Sequence, residues 1–332
     1  MVPALRAAAC YQPDGVLRVA ELPGLVGLSE AERESCARLG IDEVRADDSL
    51  SAFDLAARAA QRALATAGLA ADEIGALVLI DSRAPETLMS SSATRLQAML
   101  GADRAVTFSV GGLGCVSLTP ALLTARGLLA ADGHLDHVLV AHGSKPPTPL
   151  RYRHPVTVSG DGGAAAVVSR RGPVRILDIL QETNGDYWDL FHVDYRDRPH
   201  ARWREECRDI PGYSFRLAME TRNRLRGLHQ RLLERNHLGP RDISCYLSHN
   251  LSVGALRFTE ETLDIKISTT CFDNLRRHGH LGPNDVLLNL TTELDRGTLG
   301  DGQRAVLLSG SPVAAWSLLL VEIGNGATTH YL

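Results

Sequence analysis

The segment VTFSVGGLGCVSLTPALL, residues 106–123, changes secondary structure at its centre. The β-branched run from Val106 to Val110 predicts a strand, and the apolar spacing after Cys115 predicts a helix. Three glycines within residues 111–114 separate the two, and glycine permits the tight backbone path that such a turn needs. The segment therefore predicts a strand–turn–helix unit that delivers one thiol to the start of a helix.

Two parts of the chain repeat the same order of elements. A helical pattern over residues 51–67 stops at a glycine and is followed by the strand-like DEIGALVLIDS at 72–82. A second helical pattern over residues 215–236 ends near Gly239 and is followed by RDISCYLSHNLS at 241–252, with a strand at 245–248. Further along each part, Gly-Asp-Gly opens an apolar strand, in SGDGGAAAVVS (159–169) and LGDGQRAVLLS (299–309). Gly-Asp-Gly alone is ordinary turn chemistry, but the matched order indicates a duplication.

Helices that alternate with continuous apolar strands predict an α/β fold with a parallel sheet covered by helices on both faces. We divide the chain into an N-terminal half, residues 1–170, and a C-terminal half, residues 171–332. The segment 184–214 has no periodicity and mixes aromatic residues, arginines and prolines. We expect it to cover a cleft, with its aromatic side chains packed.

Composition limits the class of protein. The 332 residues are 44% hydrophobic and 22% charged, as in ordinary globular proteins, and the formal charge of −4 gives no nucleic-acid footprint. The six cysteines form no CxxC pair, so neither a metal site nor a disulfide framework is indicated. We expect no signal peptide, no stretch of transmembrane length and no membrane partner. A cytoplasmic enzyme in a reducing compartment is the default expectation.

Cys115 is the first candidate for chemistry. The amides that follow it and the dipole of the predicted helix favour a thiolate, which is the nucleophilic form of cysteine. A buried structural cysteine is an equally good interpretation from position alone, and a glycine-rich turn before a helix also binds phosphate.

Two of the twelve histidines stand out by position. His249 follows the predicted strand 245–248, where the loops of α/β sheets build binding sites. His280 lies between two glycines before a helix that Pro283 can open, and Asp285 falls in the first turn of that helix. Asp285 could orient the His280 imidazole, although a carboxylate at a helix N-terminus is common without such a role.

Over nearly its whole length the sequence resembles the ketoacyl synthase III family of thiolase-fold proteins. The resemblance rests on four segments: GGLGC (111–115), SGDGGAAAVV (159–168), SHN (248–250) and LSGSPVAAWSLLLVE (308–322). It implies a five-layered homodimer of duplicated α/β/α/β/α halves that binds an acyl carrier protein. In the condensing members a cysteine, a histidine and an asparagine act together. The first two map to Cys115 and His249, with Asn250 as a supporting residue.

The sequence departs from the condensing pattern at the asparagine. The turn reads Gly279-His280-Leu281-Gly282, with Asp285 three residues later. This resembles a branch of the family from antibiotic pathways that uses a Cys-His-Asp triad. The resemblance implies catalytic Cys115, His280 and Asp285, with His249 lining the site. It implies transfer of an acyl group from a carrier protein, a polyketide synthase carrier domain or CoA to a small-molecule acceptor hydroxyl or amine or to a second carrier, without a new carbon–carbon bond. No cofactor or metal is implied beyond the phosphopantetheine or CoA that carries the substrate.

Two other classes of function stay open at this point. One is a decarboxylating condensing synthase that works with Cys-His-His. The other is a non-catalytic protein that binds a carrier or a dimer partner.

The helix predicted at 215–236 bears on the carrier protein. Carrier proteins are acidic, and a basic helix face would speed their encounter with the enzyme. An ordinary solvated helix with charge pairs is the equally good alternative. The candidate docking residues are Arg216, Arg222, Arg224, Arg226 and Arg231.

Overall fold

The computed structural model describes residues 2–82 and 84–324. The strands are β1 (Ala4–Tyr11), β2 (Val16–Arg18), β3 (Glu43–Arg45), β4 (Ala76–Ile80), β5 (Val106–Val110), β6 (His137–Ser144), β7 (Tyr152–Arg153), β8 (Thr157–Val158), β9 (Gly162–Ser169), β10 (Val174–Thr183), β11 (Phe191–His192), β12 (Glu206–Cys207), β13 (Cys245–Ser248), β14 (Arg304–Ser311) and β15 (Ala315–Ile323). The helices are α1 (Glu30–Ala37), α2 (Ala52–Ala67), α3 (Ser92–Leu100), α4 (Leu118–Ala131), α5 (Ala218–Arg235), α6 (Val253–Leu263), α7 (Thr269–His278) and α8 (Asp285–Asp295).

The ends of α2 show how local sequence sets these bounds. Ser51 caps its N-terminus in a reciprocal capping box with Asp54, and Gly68 ends it in the left-handed conformation. The predicted helix 51–67 is therefore confirmed. The helix predicted over 215–236 begins with a π-helical turn at Gly212–Leu217 and continues as α5.

One nine-stranded sheet runs through the molecule in the order β13-β14-β15-β10-β1-β9-β6-β4-β5. Its pairs are parallel at β4/β5, β4/β6 and β13/β14, and antiparallel at the five pairs between β6 and β14. The prediction of a parallel sheet is therefore wrong for the five central strand pairs. The apolar runs of β9 and β15 do not reveal strand direction, because a strand buried on both faces is continuously apolar in either orientation.

The sheet confirms the duplication but corrects one detail of it. The β1/β10 pair joins the two halves of the sheet, and the same order of strands follows on each side of it. In the first half, β9 is antiparallel to β1, β6 is antiparallel to β9, and β4 is parallel to β6. In the second half, β15 is antiparallel to β10, β14 is antiparallel to β15, and β13 is parallel to β14. By this order β9 matches β15, and β14 matches β6. The two Gly-Asp-Gly sequences lead into β9 and β14, so they are not equivalent positions of the two halves. The division at residue 170 falls in the connection between β9 and β10 and stays a prediction.

Helices form three layers around the sheet. Alternate residues of β4 separate two cores: Val78 belongs to the core that contains α4, and Leu77 to the core that contains α2 and α3. α4 contacts strands of the first half and β10, whereas α8 contacts β13, β14 and β1, so both lie between the halves. α5 covers β15 and β10 on the far side. The α/β fold with five layers is thus confirmed.

The segment Gly114–Ala131 is long and apolar enough to cross a membrane by length and composition alone. The expectation that no stretch reaches that length is therefore wrong. Half of the segment is buried, and α4 contacts β4, β6 and β9. A helix that forms part of a core commonly passes this test, so its apolar character is explained by packing.

The segment 184–214 folds over the end of the sheet with little regular structure. Its hairpin of β11 and β12 places Phe191 against Tyr213, with ring centroids 5.2 Å apart and planes nearly perpendicular. The expectation of packed aromatic side chains is only partly met, since Trp188 and Tyr195 are exposed.

Candidate active site

The glycine-rich turn places Cys115 at the base of a cavity. β5 ends at Val110, and a 3₁₀ turn at Gly114–Val116 leads into α4. Gly112 and Gly114 have φ values of +88° and +55°, which are strained for other residues. The chain thus reverses direction within four residues, and the thiol of Cys115, only 3% exposed, is held at the helix entrance.

Cys115, His280 and Asp285 form a continuous relay. The Cys115 Sγ lies 3.0 Å from the His280 Nε2. The His280 Nδ1 lies 2.6 Å from the Asp285 Oδ2, to which it donates. All three side chains are buried. This is the order nucleophile, base and orienting carboxylate that activates a nucleophile for acyl transfer.

Asp285 is itself held in place by backbone amides. Its Oδ2 accepts from the Asn250 N–H at 2.8 Å and its Oδ1 from the Leu281 N–H at 2.7 Å. The side chain of Asn250 accepts from Asn289, one turn after Asp285 on α8, at 2.9 Å. Asn250 therefore contributes its backbone to the carboxylate, and its side chain joins a buried amide chain behind the relay.

The Gly-Asp-Gly segment of the first half holds His280 by its backbone. The His280 N–H donates to the Val158 carbonyl, and the Gly160 N–H donates to the His280 carbonyl. A side chain on Gly160 would lie 2.3 Å from the His278 carbonyl oxygen, so only glycine allows this approach. Asp161, fully buried, fixes the turn by accepting two bonds from Arg151. The two halves thus meet at His280.

The environment of His280 favours the protonated imidazole. Burial opposes the charge, but the negative charges of Cys115 and Asp285 and the bonds to them outweigh burial and raise the pKa of His280 to about 10. A protonated imidazole beside the sulfur favours the thiolate. The free site is therefore best described as a thiolate–imidazolium pair.

His249 lies close to the relay but is not part of it. Both of its ring nitrogens are buried without a hydrogen-bond partner among the described residues. Burial, with a further contribution from the His280 charge, lowers its pKa to about 4, so the ring is neutral. A neutral imidazole still carries one N–H, and a buried N–H without a partner costs about 1–3 kcal/mol. The position thus fits a group that donates to a substrate.

Two cavities meet this site. The first, of 310 Å³, contains Cys115 and His280 and has a mixed lining, whose polar side chains are Asp81, Ser82, Ser117, His142, Ser144, Lys145, Arg153 and Ser159. The second, of 240 Å³, contains His249 and is mainly apolar, with Val156, Leu217, Leu225, Leu251, Phe258 and Leu308 in its wall.

The cover segment, residues 184–214, contacts the cavity at Cys115 through one buried ion pair. The Arg153 guanidinium bonds the Glu205 carboxylate with two nitrogens, one of them at 2.6 Å, and both side chains are 7% exposed. Phe191 from the same segment also lines the cavity. This arrangement agrees with the expectation that the segment 184–214 covers a cleft.

The sequence arguments missed His142, Asn284 and Asn289. His142 lies two residues before the end of the apolar strand β6, and His249 directly follows β13, so the same positional argument would have selected His142. Asn289 is four residues after Asp285 and therefore on the same helix face. Asn284 had no sequence signal, since its role depends on the contact between the turn Gly282–Asn284 and β6.

The candidate docking arginines do not form one free basic face. Arg224 and Arg231 both pair with Glu182 on β10, and Arg216 pairs with Asp209. At 100° per residue, Arg222 lies on the side of the helix opposite Arg231. The arrangement is closer to a helix with charge pairs, and carrier docking stays a prediction.

The chain has relatives of known name. Residues 233–323 match the family model for the C-terminal part of 3-oxoacyl-[acyl-carrier-protein] synthase III. The β-ketoacyl-[acyl-carrier-protein] synthase III of Campylobacter jejuni strain RM1221 is 23% identical over 325 residues, which cover 97% of this chain and 98% of that protein.

Solved structures have the same fold. The acyltransferase ChlB3 superposes with a TM-score of 0.83 at 20% identity and covers 99% of both chains. The 3-oxoacyl-(acyl carrier protein) synthase III of Pseudomonas aeruginosa PAO1 superposes with a TM-score of 0.79 at 21% identity, covering 98% of this chain and 99% of that one.

The comparisons agree on the fold. The chain has the thiolase-like fold of the solved 3-oxoacyl-(acyl carrier protein) synthase III structures, and its C-terminal part is similar to that family. The matched C-terminal segment contains His249, Asn250, His280 and Asp285, so four of the predicted site residues lie within the part that the family model covers.

Proposed function

We propose that this enzyme is an acyltransferase that moves an acyl group from a carrier-protein or CoA thioester, through a Cys115 thioester, to a hydroxyl or amine of a natural-product intermediate. One observation carries the proposal: His280 bonds Cys115 at 3.0 Å and Asp285 at 2.6 Å. An imidazole with a carboxylate behind it is a proton acceptor, which an acceptor hydroxyl needs. A malonyl donor does not need a proton acceptor, because it forms its carbon nucleophile by losing carbon dioxide.

The first half-reaction forms the acyl-enzyme. The Cys115 thiolate attacks the thioester carbonyl, and the carbonyl π electrons move to oxygen. Collapse of this tetrahedral adduct breaks the bond to the carrier sulfur, which takes the proton from His280 Nε2 and leaves as a thiol. The acyl-enzyme then faces a neutral His280.

The second half-reaction passes the acyl group on. His280 Nε2 accepts the proton of the acceptor hydroxyl or amine while its oxygen or nitrogen attacks the acyl carbon. Collapse expels the Cys115 thiolate and restores the ion pair. Asp285 keeps Nδ1 protonated throughout and stabilises the imidazolium.

Both adducts need donors for a developing oxyanion. We assign the Cys115 amide as one donor and the neutral His249 imidazole as the other. His249 is chosen because its buried N–H has no partner among the described residues. The turn after β14 is a poorer source, since Pro312 has no N–H.

The cavity at Cys115 supports transfer of a small or polar group. Asp81, Ser82 and Ser159 in its wall offer hydrogen bonds to such a group, which a long alkyl chain would leave unmade.

The remaining features of the proposal concern assembly and setting. We propose a cytoplasmic homodimer that receives its donor from an acyl carrier protein or a polyketide synthase carrier domain. β5 is an edge strand with the exposed side chain of Val106, and an unpaired edge of this kind is suited to pairing with a second copy.

A decarboxylating condensing synthase is the second candidate. It is favoured by the names of the relatives, which are β-ketoacyl synthases. Cys115, His249 and His280 would then form its catalytic set.

Intact-mass analysis with a panel of acyl thioesters tests both. We expect a stable adduct on the wild type and none on Cys115→Ala. A labelled malonyl thioester is then offered to the acyl-enzyme. Release of carbon dioxide with chain extension supports the condensing synthase. Equal modification of the wild type and of Cys115→Ala by the acyl thioesters refutes the covalent scheme.

A further inference from the structure

His142 places a second imidazole in the cavity of the relay. It lies near the end of β6, is 7% exposed, and lines the same 310 Å³ cavity as Cys115 and His280. The position that a side chain on Gly282 would take is 3.9 Å from the His142 Cε1. Because Gly282 has no side chain, no atom of residue 282 fills the space beside the His142 ring.

The hydrogen bonds of Asn284 fix the tautomer of His142. The Asn284 side-chain amide donates through Nδ2 to the Gly162 carbonyl at 3.0 Å. Its Oδ1 therefore faces the His142 Nδ1, 2.9 Å away, as an acceptor. His142 must carry its proton on Nδ1, and the lone pair is left on Nε2.

The ring stays neutral near neutral pH. Burial lowers the pKa of His142 to about 4, although the bond to Asn284 and the Asp285 charge act in the opposite direction. Its Nε2 makes no hydrogen bond within residues 2–82 and 84–324, and it is not among the buried atoms that lack a partner. It therefore presents an accepting lone pair to the cavity.

The cavity of the acyl-enzyme thus contains two accepting imidazoles. His280 has given its Nε2 proton to the departing carrier thiol, so it awaits a donor. His142 is an acceptor at all stages. A nucleophile with a single O–H satisfies His280 alone, whereas a molecule with a second donor beside the first satisfies both.

We propose that His142 is a specificity-determining residue that selects acceptors with two adjacent donors, such as a vicinal diol or amino alcohol, by accepting a hydrogen bond from the group that does not attack. The inference rests on the proposed acyl transfer and narrows its acceptor. His142 does not exchange a proton with the substrate, so it acts by position.

Two substitutions separate the cavity acceptor from the contact with Asn284. His142→Asn keeps an N–H donor near the position of Nδ1 and removes the acceptor in the cavity. His142→Gln puts a carbonyl oxygen near the position of Nε2 and loses the Nδ1 donor. Thermal unfolding of both variants reports any general loss of structure.

The probes are cis-1,2-cyclohexanediol and cyclohexanol. In the free enzyme we measure how strongly each protects Cys115 from iodoacetamide. In the enzyme acetylated by S-acetyl-N-acetylcysteamine we measure how fast each discharges the acetyl group, followed by intact mass. One hydrogen bond corresponds to a factor of about 2–12, and we expect the diol to discharge the acetyl group faster than the alcohol by this factor. In the free enzyme His280 is protonated and His142 is the accepting imidazole, so we expect each compound to protect the wild type more strongly than His142→Asn by the same factor.

The pattern across variants decides the inference. We expect His142→Asn to abolish the advantage of the diol in discharge while discharge by cyclohexanol is unaffected, and His142→Gln to keep most of it. Equal rates of discharge by the two compounds in the wild type, protection that is the same in the wild type and in His142→Asn, or an unchanged advantage of the diol in His142→Asn overturns the role of His142. Failure of the proposed transfer has a different signature, because the wild type then forms no acetyl-enzyme whatever the protection results are.

Discussion

Removal of the His280 imidazole should change the pH dependence of Cys115 reactivity. In the wild type the pKa of His280 is raised to about 10, so the imidazolium stays beside the sulfur through neutral pH. We expect iodoacetamide to alkylate Cys115 at a rate that varies little between about pH 6.5 and 9. In His280→Asn the rate should instead rise steadily over this range, because the thiol must ionise without a cation 3.0 Å away.

The size of the effect follows from the ionised fraction. An ordinary thiol with a pKa of about 8.5 is roughly 1% ionised at about pH 6.5, so the variant should have about 100-fold less thiolate than a fully formed ion pair. A more basic thiolate is the better nucleophile, which recovers roughly eightfold. The net loss at about pH 6.5 is therefore about tenfold. It should vanish near about pH 7.7, where roughly one eighth of an ordinary thiol is ionised, and above that pH the variant should react faster than the wild type.

The assay is the rate of mass increase in excess iodoacetamide across the pH range, with Cys115→Ala to report other thiols. His249→Asn is the matched control: it removes a neighbouring buried imidazole that is already neutral, so its profile should follow the wild type. Asp285→Asn should give an intermediate profile, because the imidazole remains but loses one of the two charges that hold its proton. A His280→Asn profile that matches the wild type would refute the ion pair, and with it the assignment of His280 as the base.

Three further outcomes are expected. Ser109→Pro removes an N–H on the outer side of edge strand β5, so light scattering after gel filtration should show monomers; an intact dimer would place the interface elsewhere. Arg216→Glu combined with Arg222→Glu should slow transfer from a carrier-bound donor roughly tenfold more than from a small thioester, and equal losses would argue against docking on α5. Burial lowers the pKa of His249 to about 4, so the unfolded chain binds a proton between about pH 6.5 and 4 that the folded protein does not. As the pH falls through that window, the free energy of unfolding should therefore decrease by up to about 3 kcal/mol because of this residue. Urea titrations of His249→Asn should show a smaller decrease over the same pH range.

Much of the site could be predicted from the sequence because its pieces are local. The glycines before Cys115 encode a turn that few other residues permit, and Pro283 with Asp285 marks a helix start five residues after His280. The periodicity of residues 51–67 and their glycine stop encode a helix without help from other elements. These features depend on backbone conformation within a few residues, which the residue types themselves restrict.

Other features depend on contacts between distant segments. Strand direction at the centre of the sheet is decided by which strands pair, and continuous apolar runs do not encode it. The roles of His142 and Arg153 exist because β6 meets Asn284 and because the cover segment brings Glu205 against the sheet, 52 residues away in the chain. The arginines of α5 look like a basic face in sequence, but one acidic residue of β10, Glu182, pairs with both Arg224 and Arg231. Residue types thus specified the reactive groups and their local turns, whereas hydrogen bonds and charge pairs across the two halves decided how those groups are oriented and ionised.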